Sequence, residues 1–318
     1  MRTEETDVAI IGAGPAGLSA ALELKRLGVS KVVVLERESE AGGTVRHCGH
    51  TGFGMLDLHR LVTGPRYAAA LRERTRGLDV RLSTAVTALG PEGSLMASTP
   101  SGELSLKARR VLLATGIREM PRSARLVSGT RPFGVLTTGA LQRFIYLEKL
   151  VPCAHPVIIG SELVAFSTLL TLKHAGVKPV AMIEEAARPS VMFPAAQIAH
   201  LLYGVPLRLG TRIASIEGKA RVEGVTVARG RRTETIACDA VVFTGRWVPE
   251  AMLMRQHPAG VDPQTGGPRT DALLKTADPH LYAAGNVRYG VRSSGRCALE
   301  GRRVARSIAL DLARKRMP

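Results

Sequence analysis

The sequence predicts an α/β protein made of two Rossmann-like nucleotide-binding domains, each a parallel sheet with a β-meander. Three observations carry this. Gly12, Gly14 and Gly17 form a glycine turn between a short apolar strand and a helix, and a second strand ends in Glu36. The same pattern returns at residues 157–185, aligned without a gap so that Gly12 falls on Gly160, Gly28 on Gly176 and Glu36 on Glu184. The last stretch then supplies one more buried strand and an amphipathic helix, which return to the first domain.

In chain order, residues 7–11 read as a buried strand. The three glycines that follow have separate tasks: a tight turn, close approach of the backbone to a pyrophosphate, and close packing of helix on strand. Pro15 falls in the first helical turn, where a missing N–H is harmless. The helix runs to about Leu27 and Gly28 closes it; residues 32–35 form the next strand, and Glu36 stands where such units bond a ribose. The unpaired N–H groups and positive dipole of the helix N-terminus suit phosphate.

Residues 42–54 are glycine-rich without periodicity, which predicts a loop lying on the bound dinucleotide. A helix at 64–76, a meander from Asp79 broken at Gly90-Pro91 and Thr99-Pro100, and a buried strand at 110–114 closing on Thr115-Gly116 complete the first copy. A linker at 118–139 and a helix near 140–150 lead to the second. Its later half also echoes the first, since DAVVFTG at 239–245 resembles the approach to Thr115-Gly116.

The copies differ at the turn. Gly14 corresponds to Glu162 and Gly17 to Ala165. Alanine at the third position is tolerated, whereas glutamate at the second puts a charge where a pyrophosphate must come. Unit charges about 4–5 Å apart at an effective dielectric near 20 repel by about 3–4 kcal/mol, over a hundredfold in affinity. A side chain turned away to cap the helix would reduce this.

The chain has 44 Lys+Arg against 27 Asp+Glu, a net charge of +17. The basic residues are dispersed, few aromatics accompany them and no nucleic-acid motif is present, so a face for an acidic partner or anionic substrate is favoured over nucleic acid. The longest apolar run, at 163–172, is too short to span a bilayer, and the polar start MRTEETD argues against a signal peptide; a cytoplasmic protein is expected. Cys48, Cys153, Cys238 and Cys297 form no C-x-x-C, which excludes a closely spaced dithiol and a four-cysteine metal cluster.

GAGPAG with Glu36, the ATG at 114–116 followed by Pro121, the turn at Gly160, Thr244-Gly245 and the terminal LYAAGN at 281–286 together resemble the thioredoxin-reductase-like FAD/NAD(P) oxidoreductases. The resemblance covers nearly the whole chain. It implies a split FAD domain of residues 1–117 and 249–318, with an NAD(P)-type domain at 118–248. FAD would be held by Gly12, Gly14, Pro15, Ala16, Gly17 and Glu36, with Arg37, Gly43, Thr115 and Gly116 nearby. Gly285 and Asn286 match the late Gly-Asp motif on the ribityl-phosphate side, with Asn for Asp. The C-terminal helix would direct its N-terminus, near Ala298, at the flavin, and Gly160 and Glu184 would serve the second nucleotide.

Within that class, GGTVRHCGHTGFG (42–54), TGPRYAAAL (63–71), FTGRWVPE (243–250), TGGPRTD (265–271) and ALEGRRVA (298–305) resemble small flavoprotein subunits. Those subunits belong to sarcosine-, opine- and proline-oxidising complexes, to hydrogen cyanide synthase and to glycerol-3-phosphate-dehydrogenase-like systems. The resemblance implies an electron-transferring subunit whose partners are a larger FAD-dependent dehydrogenase and a small iron–sulfur protein. The competing expectation is a free-standing NAD(P)H-dependent flavin reductase, in which Glu184 would select NADH. Cys48, between His47 and His50, is the one candidate catalytic residue: imidazolium neighbours would lower its pKa and give a thiolate for disulfide or persulfide chemistry. A small packed loop residue is the plainer expectation. His47, Cys48 and His50 make a poor metal site without a fourth ligand. Trp247 is expected to pack in a core or interface.

Overall fold

The computed structural model describes residues 3–191 and 201–314. The chain forms two compact units, one of Met1–Arg46, Thr51–Arg118 and Trp247–Pro318, the other of His47–His50 and Glu119–Arg246.

The first unit is built on a seven-stranded sheet. The strand Thr3–Ile11 lies at its centre, parallel to Val32–Leu35 on one side and Gly102–Leu113 on the other, and Asp79–Arg81 extends the first side. Gly102–Leu113 is long enough to serve two neighbours along one edge. Its early half is antiparallel to Ser94–Thr99, from which the meander continues to Ala85–Leu89, while Val111–Leu113 is parallel to the late strand Leu281–Ala283. Successive side chains face opposite layers. Val8, Ile10, Val34 and Leu112 pack with Leu18 and Leu24 of the helix Pro15–Arg26 and with Val304 and Ile308 of the C-terminal helix Ser294–Arg314. Ala9, Ile11, Val33 and Leu113 face the other way, onto Leu281, Ala283 and Met254. Each large side chain so buried is worth about 1.5–3 kcal/mol. The two helices meet at backbone distance: a Cβ on Gly301 would stand 2.1 Å from the Ala16 carbonyl oxygen.

A charged lock fastens the C-terminal helix. Arg110 is buried in its strand and donates from Nε to Asp311 Oδ2 at 2.7 Å, which also accepts from Tyr282 Oη at 2.7 Å and Lys275 Nζ at 3.0 Å. Burial alone would raise the Asp311 carboxyl, but these three donors outweigh it and hold the group well below the usual carboxylate range.

The second unit repeats the plan. Pro156–Ile159 is central, between Ala181–Ile183 and Ala240–Phe243, with Leu207–Arg208 and Val135–Thr137 outermost, all parallel. The helix Leu163–His174 follows the glycine turn and buries Leu169 and Leu172 with Ile158, Met182 and Val242. A meander, Arg212–Glu217, Gly224–Arg229 and Arg232–Ala237, covers the opposite face through Ile216 and Val225. Among the described residues no helix is long and apolar enough to cross a membrane.

Several boundaries differ from the sequence expectations. The first strand starts at Thr3, and the strand expected at 110–114 starts at Gly102, because partner strands on both sides outweigh its polar composition. The loop at 42–54 contains a 3-10 turn at Gly43–His47 and a strand Thr51–Phe53 paired with Val62–Thr63. The C-terminal helix starts a turn early, at Ser294, where the Ser293 hydroxyl accepts the Arg296 N–H at 3.4 Å. Ala298 therefore lies in the second turn, fully buried, rather than at the helix N-terminus.

Candidate functional site

The two glycine turns stand at equivalent places, each at the end of its central strand. In the first, Gly12 has φ +105°, and a Cβ there would come within 2.6 Å of the Ala114 carbonyl oxygen; one on Gly17 would strike the Gly12 carbonyl oxygen at 1.9 Å. The protein's own packing requires both glycines. Gly14 is different: a Cβ there would meet nothing nearer than Gly43 Cα at 4.0 Å, so the fold leaves clear space over the first turn of the helix. Gly42 closes the flank by donating its N–H to the Ala13 carbonyl at 2.8 Å. Glu36 is buried, and its carboxylate accepts Ala13 N–H at 2.7 Å and Glu38 N–H at 3.0 Å. A carboxylate offers about four lone-pair positions, so capacity remains for a hydroxyl pair.

In the second turn the corresponding position carries a side chain. Glu162 is the N-cap residue of Leu163–His174 but makes no capping bond. Its carboxylate folds back between the two turns, so close that a Cβ on Gly160 would lie 2.7 Å from Oε2 and one on Gly245 2.8 Å from Oε1. Oε1 is buried without a hydrogen-bond partner. Arg125 fixes the wall of this pocket, donating to the carbonyls of Thr244 at 2.9 Å and Gly245 at 2.7 Å, with its guanidinium 5.0 Å from the Phe243 ring centre. Glu184 accepts Ala186 N–H at 2.9 Å and Ser190 Oγ at 3.3 Å and pairs closely with Ser161 Oγ. Thus Ser161 replaces, with a side-chain hydroxyl, the backbone donor that Ala13 gives Glu36.

A model of the pyridine nucleotide-disulphide oxidoreductase family matches residues 6–306. The chain belongs to this family. It is an FAD-dependent oxidoreductase, and FAD with an NAD(P)H partner is the family's cofactor chemistry. An opine oxidase subunit of Rhizobium meliloti is 27% identical over 340 residues, covering 97% of this chain and 72% of that one. Hydrogen cyanide synthase subunit HcnB of Pseudomonas protegens is 26% identical over 338 residues, covering 95% and 70%. In structure, the chain is similar to the thioredoxin reductase of T. acidophilum, with TM-score 0.80 and 21% identity over 97% of this chain and 99% of that one.

Two further groups in this oxidoreductase are built from distant segments. At the end of Leu281–Ala283, Gly285 turns with φ +80° and its N–H is taken by Glu300 Oε2 at 2.6 Å, while Glu300 Oε1 accepts from Arg288 and Tyr289, both at 2.5 Å. Asn286 braces the following loop, accepting Arg292 N–H at 2.8 Å and donating to the Arg292 carbonyl at 3.2 Å. Sequence reasoning misses Glu300 and its donors, since nothing local marks a helical glutamate as the acceptor for an N–H 15 residues earlier. The Thr115 hydroxyl donates to the Glu250 carbonyl at 2.6 Å, and the Gly116 carbonyl accepts the Glu250 N–H at 2.9 Å, so Glu250 is fastened to the Thr115-Gly116 turn. Arg37 is exposed and lies 3.9 Å from the Glu250 carboxylate.

Of the two expectations for Cys48, the surroundings match the packed loop residue and oppose the thiolate. The loop His47–His50 belongs with the second unit, where Cys48 Sγ lies 3.8 Å from Gln142 Oε1 and Gly49 packs against the Tyr146 ring. Loss of water, then the Glu119 carboxylate, push the thiol up to about 12, the direction opposite to that expected from its histidine neighbours. Burial likewise raises Cys297, to about 11. Among the described residues no group of three metal-ligating side chains is assembled.

Proposed function

We propose that this chain is an electron-transferring flavoprotein subunit of a multi-subunit dehydrogenase, with FAD in the first unit and a second unit that no longer admits NAD(P)H productively. The observation that carries the reading is Glu162, which stands where the first copy has Gly14 and holds its carboxylate beside Gly160 and Gly245. FAD, when bound, supplies two-electron redox chemistry. Residues 1–117 and 249–318 would form its domain, and 118–248 the NAD(P)-type domain.

In the first unit the chain offers what a dinucleotide needs. Gly14 clears the approach, the first-turn N–H groups beyond Pro15 and Ala16 face it, Gly43 borders it and Glu36 keeps acceptor capacity for a ribose. Gly285, Asn286 and Ala298 would bound the flavin end. Gly160 and Glu184 keep the outline of the second site, but electrons entering there would require Glu162 to move its charge from beside an incoming pyrophosphate. The electrons are therefore assigned to a partner, as the subunit relatives suggest: a larger FAD-dependent dehydrogenase of an amine, opine, 2-hydroxy acid or glycerol phosphate, with a small iron–sulfur protein as a second associate. A stable complex of that kind should bury about 2,000 Å² or more.

The deciding measurement is stopped-flow mixing of the yellow protein with NADH and with NADPH. Bleaching is expected far below the roughly 10 s⁻¹ of an ordinary enzyme turnover. Rapid bleaching by either nucleotide would instead identify a free-standing flavin reductase.

A further inference from the structure

The outer face of the C-terminal helix carries a cluster of arginines, none of them among the residues proposed to hold FAD. Ala298, Gly301 and Val304 face the helix Pro15–Arg26 and the sheet. On the opposite side, Arg296, Leu299 and Arg303 follow one another at helical spacing, and Arg292 precedes them by one turn. These residues, with Tyr289 and Glu300, line a cavity of 270 Å³.

The cavity's charge is strongly one-sided. None of Arg292, Arg296 and Arg303 forms an ion pair among the described residues. Glu300, the one carboxylate present, is already shared among Arg288, Tyr289 and the Gly285 N–H. The arginines are also positioned in advance. The Arg292 guanidinium lies 3.9 Å from the Tyr289 ring centre, and Arg303 Nη2 donates to the Ala272 carbonyl at 2.8 Å, leaving its other donors available. Arg296 lies in the first helical turn, where the helix dipole favours an anion.

We propose that this cavity binds a small organic dicarboxylate. The stretch from Arg296 to Arg303 rises about 10 Å along the helix, which suits an anion charged at both ends better than a compact one. Each carboxylate would receive a guanidinium fork, and Tyr289 and Leu299 would flank the carbon chain. This site does not depend on the electron-transfer reading, because no residue proposed to hold FAD supplies its charge.

The test is isothermal titration of the FAD-loaded protein with succinate, with acetate and with sodium chloride at matched ionic strength. Saturable succinate binding is expected, with acetate at least tenfold weaker. Arg296→Gln and Arg303→Gln should each weaken succinate by about tenfold or more, the loss of one charge-assisted pair. Flavin absorbance checks that each variant is folded. The proposal is overturned if wild-type protein shows no succinate binding beyond the salt control, if acetate binds equally well, or if both folded variants bind as wild type does.

Discussion

The two glycine turns share a backbone plan and differ in what occupies the space above the helix. In the first turn Gly14 brings no side chain there; in the second, Glu162 lays its carboxylate beside Gly160 and Gly245. The second copy keeps its fold with a glutamate at this position because strand pairing and helix packing depend on other residues. Gly12 and Gly17 are fixed by contacts inside the protein, but Gly14 has no such contact to keep it glycine. The second position is where a copy can change function without changing fold.

The largest effect should follow from giving the first turn the second turn's side chain. Gly14→Glu is expected to weaken FAD by the same 3–4 kcal/mol or so of charge repulsion, more than a hundredfold, and to purify colourless. Full flavin occupancy in that variant would remove the comparison's foundation.

The strand ends also differ. Arg110 is buried on Asp311, whereas its counterpart in the second copy, Ala240, carries no charge, and the neighbouring Asp239 accepts the backbone N–H groups of Ala154 and His155 at the surface. Asp311→Asn should cost about 3 kcal/mol, since it leaves a buried guanidinium uncompensated, against about 1 kcal/mol for Asp239→Asn. Urea denaturation of both variants measures the difference. The sign with pH is fixed by the direction of the shift. Asp311 has a depressed folded-state pKa, so its contribution is complete above the ordinary value of 3.8 and is lost as pH falls below it. Wild type should lose stability on acidification through that range more steeply than Asp311→Asn.

The reverse exchange, Glu162→Gly, should tighten NADH by about tenfold and speed its bleaching of the flavin. It should gain less than Gly14→Glu loses, because Ser161 and Ser190 still occupy Glu184. Stopped-flow titration of the variant measures both quantities, and an unchanged NADH affinity would show that the charge is not the obstacle. The smallest effect is expected at Cys48. Cys48→Ser should retain FAD and turnover, and iodoacetamide should label the wild-type thiol much more slowly at about pH 8 than a free thiol of pKa near 8.5. Loss of turnover with FAD retained would make the cysteine catalytic after all.

Both glycine turns, their following helices and the acidic strand ends are legible in the sequence because each is a contiguous pattern whose spacing is set by one βαβ unit. The difference between the copies is legible too, at Glu162, but not where its carboxylate goes: that depends on Gly245, more than eighty residues away. Cys48 misleads for the same reason. Its histidine neighbours in sequence suggest a thiolate, whereas Glu119 and Gln142, which adjoin it in space, are remote in the chain. The helix start at Ser294 is hidden because Ser293 and Ser294 precede the first strongly apolar residues, so the buried stripe alone places the beginning too late.

The strand Leu281–Ala283 has a consequence for how the molecule is made. It completes the first unit's sheet along Val111–Leu113, yet it is synthesised only after the whole second unit. The second unit has no such gap, since its equivalent edge strand, Val135–Thr137, precedes its core. A growing chain therefore holds an open, apolar sheet edge through the synthesis of its middle third, and the contact that covers it has high sequence separation and forms slowly. The inserted unit is complete in sequence before the last strand and the C-terminal helix of the first unit are made.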